Sequence, residues 1–87
     1  MKSSTATRLF REAVAAGRVV YSGHALDQAE AAGLTLAFVD AEVLYASEGT
    51  LIPNKNYPGR FIAHGRATTM SVEVTPEAVI VTIMVSE

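Results

Sequence analysis

The spacing of apolar residues changes once along this chain, near residue 49, from steps of three and four to steps of two. That change divides the sequence into a helical half and a strand half. In residues 4–17, Ala6, Leu9, Phe10, Ala13 and Val14 share one side of a helix, with Arg8, Arg11 and Glu12 on the other. Ser3 or Ser4 is placed to cap this helix and Gly17 to end it. Val19–Ser22 reads as a short extended segment, and Ser22 or His24 lies near the next N-cap. Residues 25–32 are strong helix formers, and Gly33 is the expected C′ residue. Thr35 caps a third helix over 36–46. Its inward face is read as Leu36, Val39, Val43 and Tyr45 or Ala46, with Asp40 and Glu42 turned to water.

Beyond residue 49, Thr50–Ile52 reads as a strand that Pro53 ends or leaves on an edge. Residues 54–59 are turn-forming by composition. In 60–65, period two puts Phe61 and Ala63 on one face and Arg60, Ile62 and His64 on the other. Met70, Val72 and Val74 alternate with polar residues, as in a half-exposed antiparallel strand. Residues 78–85 are apolar on both faces, which predicts a central strand with Val79, Val81, Ile83 and Val85 on one side and Ile80, Thr82 and Met84 on the other. The predicted fold is α+β, a single domain over 1–87 in which N-terminal helices pack on a C-terminal antiparallel sheet as two layers.

An apolar fraction of 49% supplies a core and excludes a disordered chain. With no cysteine there is neither a disulfide framework nor thiolate chemistry, which suits a cytoplasmic protein. The apolar run Ala78–Val81 is far short of the roughly 20 residues a membrane span needs, and residues 1–8 lack the apolar stretch of a signal peptide, so no membrane association is expected. Two histidines at long separation do not form a metal site by spacing, and no glycine-rich phosphate loop occurs, so no metal or cofactor is expected.

Charge is segregated. Residues 1–18 carry Lys2, Arg8, Arg11 and Arg18 against Glu12, and 53–66 carry Lys55, Arg60 and Arg66 without an acid. Between them, residues 19–52 carry Asp27, Glu30, Asp40, Glu42 and Glu48 without a lysine or arginine. The first helix and the central turn thus offer basic surface, and the second and third helices acidic surface. His24 stands at the strand–helix junction, where a titratable ring is poorly placed for core packing and well placed to meet a ligand.

Tyr21-Ser22-Gly23-His24-Ala25, then Gly33-Leu34-Thr35, Tyr57-Pro58-Gly59-Arg60-Phe61 and Val79-Ile80-Val81-Thr82-Ile83 occur in that order. This order resembles the small bacterial proteins of the domain of unknown function numbered 4258, which are similar in fold to the RelE/ParE and BrnT toxins. The resemblance spans about residues 19–85. It implies helices on an antiparallel sheet and a metal-independent ribonuclease, held by an antitoxin, immunity or target protein. The arginines common in that family after His-Ala are absent, where Asp27, Gln28 and Ala31 stand.

Under that resemblance, cleavage needs a general base near neutral pKa and cations to stabilise the phosphorane. His24 would be base or acid. Arg60 and His64, about 13 Å apart along one strand face, would flank a phosphate, with Thr82 on the neighbouring strand adding a hydroxyl. Arg66, Arg8 and Arg11 would bind RNA, and Tyr57 would stack on a base. The alternative is a non-enzymatic binding or inhibitor module that meets a partner protein through Asp27, Glu30, Asp40 and Glu42. A homodimer through an edge strand, 50–52 or 70–74, is a third possibility beside a monomer.

Overall fold

A computed structural model describes residues 1–86. Helix α1 (Ser3–Ala15) is followed by strand β1 (Val19–Tyr21), helices α2 (Gly23–Ala31) and α3 (Leu36–Ala46), and strands β2 (Ile52–Pro53), β3 (Arg60–His64), β4 (Thr68–Val74) and β5 (Ala78–Val85). The class is α+β, as the change of period predicts. The sheet is mixed, in the order β1-β5-β4-β3-β2. β2 to β5 form an antiparallel meander, and β1 joins its far edge parallel to β5. The expected all-antiparallel sheet is corrected only by this short strand. It pairs Val19 with Ala78 and Tyr21 with Ile80.

Local chemistry sets the helix ends. Gly17 and Gly33 adopt φ of 72° and 73°, a conformation that costs glycine little. Each follows its helix in the same way: Arg18 N bonds Ala13 O at 2.8 Å, and Leu34 N bonds Ala29 O at 2.8 Å. The Ser22 hydroxyl accepts from Ala25 N at 3.0 Å, so Ser22, not His24, caps α2. Thr35 caps α3 in the same manner through Phe38 N. The cap expected from Ser3 or Ser4 on α1 does not form: Lys2 is the N-cap residue without a side-chain bond, and the Ser3 hydroxyl donates instead to Leu51 O.

The core lies between α1, α3 and one sheet face. Ala6, Phe10 and Ala13 meet Val39, Val43 and Ala46, over Phe61, Ala63, Met70, Val72 and Ile80. α2 packs along β5, with Ala25 and Ala29 buried. Beyond Ile80 the strand has no β1 partner, and α2 covers that edge: Gln28 Oε1 accepts from Ile83 N at 2.9 Å, and the Ser22 hydroxyl donates to Val81 O at 2.7 Å. No helix among the described residues is long and apolar enough to cross a membrane.

Several expected orientations are corrected. β5, expected to be central, has strands on both sides only along Ala78–Ile80, and its register shifts at Ser71/Val72, so Ser71 faces Thr82 while Val72 faces Ile80. Val81 is the extra residue of this bulge. Ile83 therefore shares the inner face with Ile80, and Val79 does not share the face of Ile83. β4 is an interior strand, so residues 70–74 offer no free edge for a symmetry mate; β1 and β2 are the edges.

Candidate functional site

α3 is the element whose sequence and surroundings disagree most. Its buried stripe is Val39, Glu42, Val43 and Ala46. By the 3.6-residue period, Ala37, Ala41 and Leu44 point straight away from that stripe. Phe38 and Tyr45 flank them on one side, and Leu36 and Asp40 on the other. All seven are exposed. Leu36 is 55% exposed, Phe38 39%, Leu44 59% and Tyr45 44%, whereas Glu42 is 4% exposed. The expected positions of Leu36, in the core, and of Glu42, toward water, are reversed; of Tyr45 and Ala46, it is Ala46 that is buried.

Glu42 is buried because it closes the β3–β4 turn. Its Oε1 accepts from Ala67 N at 2.7 Å and from the Thr68 hydroxyl at 2.9 Å, and its Oε2 from Arg66 N at 3.2 Å. Burial alone would raise this carboxyl; the bonds from Ala67, Thr68 and Arg66 outweigh it and hold it below the usual carboxylate range. Gly65 is required beside it, since a Cβ there would lie 2.7 Å from Glu42 Oε1 and from the Thr68 hydroxyl. Glu42 is thus committed to the fold and unavailable to a partner.

The fixed turn brings Arg66 over the Tyr45 ring at 4.9 Å. Together with Phe38, Ala41 and Leu44 these residues line a groove of about 410 Å³ along α3, with Glu48 at its end. His64 adjoins Tyr45, Glu48 and Gly49 in a smaller cleft at the same end of the sheet. A second cleft, of about 390 Å³, opens on the opposite flank of α3 between Val14, Val19 and Val43. There the Tyr21 hydroxyl donates to Asp40 Oδ1 at 2.5 Å. Burial, reinforced by the Asp40 carboxylate, pushes the Tyr21 phenol well above its ordinary value and keeps it a neutral donor.

The other predicted residues are dispersed. Arg60, Ile62 and His64 do share the sheet face away from α1 and α3, with Ser71 and Thr82 on the same face. β4 lies between β3 and β5, so Thr82 is not on a neighbouring strand as expected. Arg60 is engaged inside its own hairpin, 3.1 Å from Glu73 and stacked on Tyr57 at 4.9 Å. His24 is exposed in the first turn of α2, one turn before Gln28, on the helix side that meets the edge of β5. Two strand spacings, about 10 Å, then separate β5 from the strand carrying Arg60 and His64. Among the described residues no hydrogen bond or ion pair joins His24 to Arg60, His64, Arg66 or Thr82. Asp27 and Glu30 are exposed on α2.

The two arginines of α1 are also occupied. Arg8 pairs with Glu12 at 3.2 Å. Arg11 crosses to the end of α3, where Nε donates to Ser47 O at 2.7 Å and an amino nitrogen reaches Glu48 O and Gly49 O at 3.2 Å. Ser47 is the C-cap of α3 and Glu48 and Gly49 follow it, so the guanidinium sits at the helix's negative pole. Arg11→Ala is therefore expected to lower the melting temperature by about 5 °C, on the order of 1 kcal/mol, in a thermal unfolding experiment. An unchanged midpoint would show that this contact carries no stability.

Sequence reasoning missed the groove because Arg66, Tyr45 and Phe38 are joined only by the turn that Glu42 holds. The signal present was the composition of α3, apolar at nearly every position around its circumference. Comparison with protein-family models, with curated proteins and with solved structures finds no match.

Proposed function

We propose that this protein is a non-enzymatic binding module that meets another protein through the outer face of α3. One observation carries this reading: α3 turns Leu36, Phe38, Leu44 and Tyr45 outward while its Glu42 is buried. A helix apolar all round is normally covered on both sides, and contiguous exposed apolar patches mark interaction surfaces. The acidic surface expected of α2 and α3 is reduced by the loss of Glu42 to Asp27, Glu30 and Asp40, and Asp40 is bonded to Tyr21. Apolar contact thereby becomes the main part of recognition, with charge at its margin. The partner would be an antitoxin-like, immunity or target protein.

A second reading, the ribonuclease implied by the resemblance, has its own support in the exposure of both imidazoles and in the shared face of Arg60, His64 and Thr82. Against it stand the engaged arginines, since RNA affinity rests on free cations. Incubation of the purified protein with single-stranded and structured RNA separates the two. The binding reading predicts no cleavage at protein excess and identical behaviour of His24→Ala. Cleavage by the wild type that is lost in His24→Ala and Arg60→Ala would replace it with the nuclease reading.

A further inference from the structure

We infer that the free edge of β1 takes an extended segment of the partner as an added strand, an inference that rests on the binding reading above and names how that partner is held. The register of β1 on β5 decides which backbone groups are free. Ala78 N bonds Arg18 O at 2.8 Å and Ser22 N bonds Ile80 O at 2.9 Å, so Arg18 O, both groups of Val20 and Ser22 N serve the parallel ladder. Val19 and Tyr21 therefore turn their N–H and C=O groups outward. Among the described residues no hydrogen bond closes those groups. The other edges are occupied. On β2, Ile52 pairs with Ile62 and Asn54 N bonds Arg60 O, which turns Leu51 and Pro53 outward. Leu51 N bonds the Thr7 hydroxyl at 3.0 Å, the Ser3 hydroxyl donates to Leu51 O, and Pro53 has no N–H to offer. On β5 beyond Ile80, the Ser22 hydroxyl and Gln28 serve Val81 O and Ile83 N. An open strand edge is a template for a further strand, and β1 is the edge this fold leaves without a helix side chain on it.

The surroundings of β1 fit the same guest. The cleft of about 390 Å³ opens beside Val19 and Tyr21, with Val14, Val43 and Leu44 as its other apolar walls. Side chains of a strand alternate, so every second one of an added segment points into this cleft while its backbone bonds Val19 and Tyr21. The guest is thus an extended segment with aliphatic residues at alternate positions. Leu44 also belongs to the apolar strip on the outer face of α3, so the two surfaces are continuous. A second copy of this chain is a poorer occupant. Two β1 strands paired about Val20 would join only their Val19 and Tyr21 groups. They would bring no new side chain to either cleft, because those residues of each copy already line its own.

The test uses the full chain, isotope-labelled, and a synthetic peptide of about seven residues in which valine alternates with threonine. Amide exchange followed by NMR is expected to show the Val19 and Tyr21 N–H groups slowed at least about tenfold by the peptide, with those of Leu51 and Ile83 unchanged. Two further peptides are N-methylated, each on one set of alternate residues. Only one set faces β1, so one peptide should bind at least about tenfold more weakly and the other within about threefold of the parent. Val19→Pro removes an outward donor and no ladder bond, so the fold is retained, and circular dichroism checks it. It should weaken the parent peptide at least about tenfold.

Equal binding of the two N-methylated peptides would overturn the inference, because no backbone edge would be read. Bound peptide that leaves the Val19 and Tyr21 amides exchanging as before would also overturn it, as would failure of the parent peptide to bind. If immobilised wild type and Val19→Pro then both retained a protein that Phe38→Asp does not, the binding reading would survive its loss. A concentration-dependent dimer in light scattering that Val19→Pro dissociates would overturn it too, making a second copy the occupant.

Discussion

Glu42→Ala is expected to lower the melting temperature by about 10–20 °C, corresponding to about 3 kcal/mol for a domain of this size. The loss is large because three donors face the carboxylate: the N–H groups of Arg66 and Ala67 and the Thr68 hydroxyl. Removing the acceptor leaves the buried Thr68 hydroxyl and two part-buried N–H groups without it, and a buried orphan donor costs more than its bond contributes. Glu42→Gln is expected to cost about 2 kcal/mol, since an amide nitrogen would face at least one of those donors. Gly65→Ala should act in the same direction, by pressing a Cβ against the same carboxylate. Equilibrium urea unfolding measures all three. Stability within about 0.5 kcal/mol of wild type for Glu42→Ala would show that the turn closes without it.

The same carboxylate makes stability pH-dependent in a defined direction. Its folded pKa is depressed below the ordinary value of 4.5, so the folded state holds fewer protons than the unfolded state in the window between the two. The stabilisation is complete above the unfolded value and is lost as pH falls through the folded one. Wild type should therefore weaken below about pH 4.5, and Glu42→Gln should show a flatter acid limb over the same range.

Leu44→Asp is the second large effect, and it falls on binding instead of stability. Leu44 is exposed and outside the core, so the fold should keep its stability within about 0.5 kcal/mol. A carboxylate at the centre of the apolar strip would have to be desolvated on docking, which is expected to weaken a bound partner by about 100-fold or more. His24→Ala, far from the strip on α2, should leave that affinity unchanged. Loss of binding together with loss of the folded state would mean that Leu44 holds the fold.

The fold was largely legible because its punctuation is local. Gly17, Gly33, Ser22 and Thr35 each act within four residues of themselves, and they fall where the helices end and begin. Alternation in β3 correctly paired Phe61 with Ala63 and Arg60 with His64, since period two needs no knowledge of the neighbours. What escaped depends on distant partners. A single acid in a helix reads as exposed, and the donors that bury Glu42 lie 24 to 26 residues away. Leu36 read as core because a helix apolar on every side does not say which side faces in. The bulge at Val81 exchanged the faces of β5 beyond it, and no turn residue marks it. β1 pairs in parallel with β5, the last strand of the chain, a partner that three residues could not announce.

The candidate site was legible in its residue types and not in their grouping. His24, Arg60, His64 and Arg66 are the residues a phosphate chemistry would use, yet Arg60 is taken by Glu73 and Tyr57, and Arg66 by Tyr45. Arg11 looks like an exposed cation of α1 and instead closes the end of α3. The acidic helices pointed toward a protein partner, but the surface they provide is apolar at its centre.

The account turns on whether α3's outer face is what this protein uses. Solvent protection of α3 residues upon partner engagement, followed by hydrogen exchange of Leu44→Asp and His24→Ala beside wild type, reads it directly. The account predicts stoichiometric retention of one protein by wild type and His24→Ala, with exchange slowed along 36–48, and neither effect in Leu44→Asp. Protection that appears instead around Arg60, His64 and Thr82, and that survives in Leu44→Asp, would contradict it.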